Sequence, residues 1–162
     1  MNLEYLTSNL HTMGDKEIRN LLSQMSLADL LDLWDYLEED DMIKLFLLLD
    51  LSRKVDLIHE LPTSQQEFII QELSTAHIKR LLDEMEPDDI TDFIQAVSPE
   101  VREAVWNSLS DEAKTETRLL LNYDEDDAAG LMTPRYLAIQ SSLTIAQALR
   151  WLRKKVSDVE TI

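Results

Sequence analysis

Asp88 and Asp92 are the residues whose type and spacing most directly allow chemistry. Four residues apart, they share one face of a helix. Two carboxylates so placed offer the oxygen donors that hard divalent cations take. Glu86-Pro87 stands just ahead of them, so both acids also lie near a helix N-terminus, where the macrodipole favours carboxylates without any metal. On spacing alone the pair reads as a solvated helix start, and Asp56 in Val55-Asp56-Leu57-Ile58 reads as a solvated face residue. The acidic runs Glu38-Glu39-Asp40-Asp41 and Asp124-Glu125-Asp126-Asp127 read as solvated connections. His11, His59 and His77 have no zinc-site spacing and no HExxH pattern occurs. Cysteine is absent, which excludes disulfides, thiolate catalysis and Cys-based zinc. No segment supplies an EF-hand loop, a nucleophile elbow or a phosphate-cradling glycine loop, so an enzyme is not expected.

These acids must be positioned by helices. Cap-like residues at Thr63, Ser74, Glu86, Ser98 and Ser110 recur every 11 or 12 residues. Upstream, Ser26 stands three residues before Asp29 in a capping-box arrangement. Between the caps the apolar pattern is helical: Ile78, Leu81, Leu82 and Met85 follow i, i+3, i+4, i+7, as do Ile90, Phe93, Ile94 and Val97. Leu27, Leu30, Leu31, Trp34 and Leu37 form a similar stripe. Helices of two or three turns are marginal alone in water, so each must press its stripe on its neighbours. The spacing predicts an all-α fold of short stacked helices in a superhelical, solenoid-like domain, with a unit of two helices in about two dozen residues. Trp34, Trp106 and Trp151 read as packing residues.

Composition agrees with helices joined by short polar connections, since 162 residues contain two glycines and four prolines. A hydrophobic share of 44% is enough for a packed core. Fifteen basic residues against 32 acidic ones leave a formal net charge of −17, which repels nucleic acid and anionic lipid surfaces and attracts cations and basic partners. The start of the chain lacks the basic and apolar regions of a signal peptide. The run Leu45–Leu49 is far short of the ~20 residues that span a bilayer, so a soluble, cytosolic chain is expected. After residue 122 the pattern changes: an acidic junction is followed by a short strand expected over Tyr136–Ile139 and by a basic helix with Arg150, Arg153, Lys154 and Lys155. One strand and one helix do not make a domain, so the sequence reads as truncated.

The junction carries a resemblance. Tyr123-Asp124-Glu125-Asp126-Asp127-Ala128-Ala129-Gly130-Leu131-Met132-Thr133-Pro134 resembles the point in MgtE-type magnesium transporters where an acidic stretch runs into Ala-Gly-Gly-Leu-Met-Thr. Leu131 to Lys155 is similar to the opening of the CBS domain that follows, while the tract at 30–34 and Glu86-Pro87-Asp88-Asp89-Ile90 resemble the family's N domain. Ala129 departs from the pattern, standing where the first glycine of a pair is usual, and alanine tolerates fewer backbone conformations. The resemblance implies an N-type helical domain over 1–122, an acidic junction over 123–135 and an incomplete first CBS domain over 136–162.

What the resemblance implies in function is a Mg2+ sensor without catalysis. In the family, divalent ions bind between the N domain, two CBS domains and a connecting helix, and hold the transmembrane pore closed. By position, Asp56, Asp88, Asp92 and the backbone carbonyl of Gly130 are the implied ligands, with Asp56 matching a position one repeat pair earlier. The implied ion is Mg2+, with Mn2+ or another divalent cation not distinguished. The implied partners are the CBS domains, connecting helix and pore of a homodimeric full-length protein, with the fragment monomeric. The alternative from a different class is an acidic helical-repeat module that binds a basic protein segment without metal specificity.

Overall fold

A computed structural model describes residues 10–122 and 137–155. Nine helices follow one another in the first stretch: α1 (Asp15–Leu22), α2 (Leu27–Trp34), α3 (Glu39–Leu48), α4 (Leu51–Glu60), α5 (Thr63–Glu72), α6 (Thr75–Leu82), α7 (Pro87–Ala96), α8 (Pro99–Ser108) and α9 (Asp111–Leu120). A tenth, α10 (Ile145–Lys155), lies in the second stretch. Each of the first nine begins twelve residues after the one before, so the expected 24-residue pair extends upstream of Thr63 to Asp15.

The twelve-residue period is a packing register. Counting the first helical residue as one, the seventh positions are Leu21, Leu33, Leu45, Leu57, Ile69, Leu81, Phe93, Val105 and Thr117, and all but the half-buried Leu21 are buried. The eleventh positions lie beyond the helix ends. Met25, Leu37, Leu49, Leu61, Leu73, Met85, Val97 and Leu109 are all buried there. These residues plug the corners between successive helices. The ten-residue helices α3, α4, α5, α7 and α8 reach the plug directly, ending on it in an extended conformation. The eight-residue helices α1, α2 and α6 end on a helical-region residue and take a further turn to reach it. No described residue has a positive φ. The common left-handed glycine stop is therefore not used, which accounts for a helical chain with so little glycine.

Each helix packs chiefly on the one two places along: α1 on α3, α2 on α4, α3 on α5, α4 on α6, α6 on α8 and α7 on α9. The regularity changes near α5, which packs against α8, while α7 and α8 also pack on each other. The result is the stacked superhelix expected from the short helices, with one continuous core. Trp34 is 1% exposed and meets Phe46 edge to face, with ring centroids 6.5 Å apart. Trp106 is half-buried, with the Arg118 guanidinium 5.1 Å from its ring centroid.

The capping expectations divide. Ser26 and Asp29 form the capping box, each side chain accepting from the other's backbone N–H at 3.1 Å. Ser74 and Ser110 cap α6 and α9 through their hydroxyls. Thr63 is not a cap: the register places Pro62 there and makes Thr63 the first helical residue. Ser98 occupies a cap position, yet its side chain does not cap, and its backbone N–H donates to Glu67 Oε1. Glu38–Asp41 is also not a connection. Its last three residues are the first turn of α3, and Asp41, the third residue of that helix, is buried with its Oδ2 3.6 Å from His11 Nε2.

The strand expected at 136–139 does not form over its described residues: 137–140 have no regular structure, and no strand occurs among the described residues to pair with them. Ser26→Ala should cost on the order of 1 kcal/mol in thermal unfolding, as removal of N-cap serines does. Hydrogen bonds from the Ser26 side chain and backbone hold the Asp29 carboxyl below its ordinary value of 3.8. A lowered folded-state value stabilises above the unfolded value and is lost as pH falls through the folded one. The Ser26→Ala penalty should therefore shrink in acid.

Candidate metal interface

Helix α7 carries the candidate ligands. Glu86 is its N-cap and Pro87 its first residue, so the chain enters with a preset φ and with no N–H to leave orphaned at that position. Asp88 and Asp89 fill the first turn, and Asp92 follows one turn later. Ile90, Phe93 and Ile94 anchor the opposite face in the core. Thr91 is buried as well, its hydroxyl donating to the Pro87 carbonyl at 2.7 Å. The scaffold beneath the carboxylates is thereby fixed.

The three acids of α7 have different surroundings. Asp88 is half-buried, and its Oδ1 is buried without a hydrogen-bond partner. Asp89 Oδ1 lies 3.4 Å from His59 Nδ1 of α4. Asp92 is exposed and, with Asp89, lines a groove of about 170 Å3 that also includes His59, Thr63 and Gln66. Gln66 is held at this groove by donating to the Ile58 carbonyl at 2.8 Å. Asp88 and Asp92 stand one turn apart on α7, and of the two Asp92 lines the groove.

Asp56 is exposed on α4. It occupies the same register position as Asp92, but three helices earlier rather than one pair, because the period is strictly twelve. Asp56 lies about one turn before His59 on α4, the helix that meets α7 through the His59–Asp89 pair. Gly130 lies outside the described residues, as does the junction from 123 to 135. Among the described residues no three His, Asp or Glu side chains converge as a metal cluster.

The donor set nevertheless fits a hard cation. An orphaned carboxylate oxygen at Asp88 and a second carboxylate one turn along the helix can hold an ion that keeps most of its waters, as Mg2+ does. Sequence reasoning missed the His59–Asp89 pair. These residues are thirty apart in the chain and occupy different register positions, so no local pattern announces them.

A family model described as the MgtE intracellular N domain matches residues 25–126. The magnesium transporter MgtE of Thermus thermophilus is 39% identical over 153 residues, covering 92% of this chain and 34% of that protein. The chain therefore spans about a third of the length of this relative. Among solved structures, the cytosolic domain of the Mg2+ channel MgtE in complex with ATP superposes with a TM-score of 0.85 at 29% identity, covering 99% of this chain and 66% of that one. The soluble part of a magnesium transporter shares the fold at a TM-score of 0.73 and 21% identity. Family match, register and helix order agree that this chain belongs to the MgtE intracellular N-domain family.

Proposed function

We propose that this chain is the Mg2+-sensing regulatory part of a magnesium transporter, acting at the cytoplasmic face of the membrane without catalysis of its own. The observation that carries this reading is Asp88 Oδ1, buried and without a partner beside Asp92 on an anchored helix of a chain with net charge −17. The remaining ligands come from a facing surface of the same protein, in the CBS domains and connecting helix, with Asp56 and the Gly130 carbonyl contributing at separate points. Residues 1–122 form the N-type domain, 123–135 the junction and 136–162 the start of the first CBS domain.

The mechanism is charge neutralisation across an interface. Two acidic surfaces repel at short range, and a divalent ion between them reverses the sign of that interaction. Because the ion binds the compact arrangement better than the loose one, it shifts the population toward compaction. In a homodimeric transporter that compaction closes the pore, and falling Mg2+ releases it.

The test is a Mg2+ titration of the transporter's cytosolic region through both CBS domains, followed by small-angle scattering and protease sensitivity. Contraction and protection beyond those of matched ionic strength are expected. A response reproduced by monovalent salt would sink the sensor and leave the acidic surface as a docking face for a basic protein segment.

A further inference from the structure

A cationic cleft of about 310 Å3 lies between α1, α3, α4 and α6, away from the α7 carboxylates. Its lining includes Arg19 of α1, Lys54 of α4 and Arg80 of α6, with His77 and Asp50 beside them, over a floor of leucines and the Phe46 ring. Three permanent or near-permanent cations thus face one carboxylate, in a chain whose acids outnumber its bases two to one. None of the three is ion-paired with a described carboxylate.

Lys54 shows the consequence. Its Nζ donates to the Leu47 carbonyl at 3.1 Å and sits 5.9 Å from the Phe46 ring centroid. Burial pulls its pKa below the ordinary lysine value, and the charges of Arg80 and Arg19 pull it further, against a smaller opposing effect of Asp50. The folded chain therefore holds three cations together with Asp50 as the one carboxylate in the cleft lining.

The start of α4 adds a second feature. Asp50 is its N-cap residue but makes no side-chain cap, and no acid lies in the first turn. The first turns of α5 and α6 lack acids as well, and Asp50 is the one carboxylate at the start of α4 beside the cleft. The volume is at the small end of the roughly 300–1,000 Å3 range of ligand pockets.

We infer that this cleft binds a small, multiply charged phosphate anion, held by Arg19, Lys54 and Arg80 at the N-terminus of α4. The guanidinium forks of the two arginines suit phosphate oxygens, and Lys54 supplies a point charge from the cleft floor. The same chemistry is offered by a free oligophosphate and by the headgroup phosphate of an anionic lipid. The net charge of −17 repels an extended anionic surface, so the free anion is the favoured source. This site uses none of the residues of the Mg2+ reading, and the two stand or fall separately.

The experiment titrates the 162-residue chain with inorganic pyrophosphate at constant ionic strength, with a chelator removing divalent ions. Calorimetry is expected to give saturable one-to-one binding. Affinity should fall at least tenfold in Arg19→Gln/Arg80→Gln and in Lys54→Met, and stay within twofold in Lys79→Gln, an exposed lysine of α6 outside the cleft. A parallel flotation assay uses phosphatidic acid vesicles against phosphatidylcholine vesicles. Flotation lost in the same variants would assign the phosphate to lipid, and pyrophosphate binding alone would assign it to a free anion. Saturable binding to neither probe, or binding unchanged in both cleft variants, overturns the site. Circular dichroism of each variant confirms folding, which the exposed positions of Arg19 and Arg80 favour.

Discussion

Phe46→Ala is expected to lower the unfolding free energy by about 3–5 kcal/mol, the range for truncating a buried aromatic side chain. Phe46 is 1% exposed, meets Trp34 edge to face and lies beneath Lys54, so its removal leaves a cavity that three elements border. The helix that carries Phe46 has little means of collapsing onto such a cavity, because it is held in register by the buried plugs Leu37 and Leu49 at its two corners. For a domain whose total stability is of the usual 5–15 kcal/mol, the loss is a large fraction and should lower the melting temperature by upward of about 10 °C. Leu119→Ala is the control: at 52% exposure it should change stability by less than about 0.5 kcal/mol. Equal effects from the two variants would mean that the register does not define the core.

Asp88→Asn/Asp92→Asn is expected to abolish the Mg2+-dependent contraction of the cytosolic region while leaving the domain folded. The double variant removes two charges and little volume. In the absence of Mg2+ it should stay within about 1 kcal/mol of the parent, because relief of the partnerless buried Asp88 Oδ1 offsets the lost helix-dipole interaction. In Mg2+ at a hundredfold excess over the dissociation constant, the parent gains about 2.7 kcal/mol by linkage and the variant gains nothing. Thermal unfolding with and without the ion separates the two effects. A variant less stable without Mg2+ by clearly more than about 1 kcal/mol would make these acids structural members of α7 rather than ion ligands.

The helical class was legible because its signals are local. Ile78, Leu81, Leu82 and Met85 mark the fourth, seventh, eighth and eleventh positions of a unit, and the same four positions can be read at Leu30, Leu33, Trp34 and Leu37. Caps at Thr63 and Ser98 misled slightly. A threonine after proline satisfies the cap pattern, yet the register, set by burial of Leu61 and Leu73, places the helix start one residue away from that assignment. The burial of Asp41 was hidden for a similar reason: a run of four acids reads as solvated until one of them falls on an inward position.

By itself the sequence determined the all-α class, the helical spacing, the family and the placement of Asp88 and Asp92 one turn apart on a helix, all of which follow from short-range periodicity and motif. Only the tertiary structure decided which helices are neighbours, and with that the remaining chemistry. It set Asp89 against His59, left one oxygen of Asp88 buried without a partner, and gathered Arg19, Lys54 and Arg80 around one cleft. Those groupings depend on stacking helices two or more units apart, and a side chain's partners and burial are set by that stacking rather than by its neighbours in the chain.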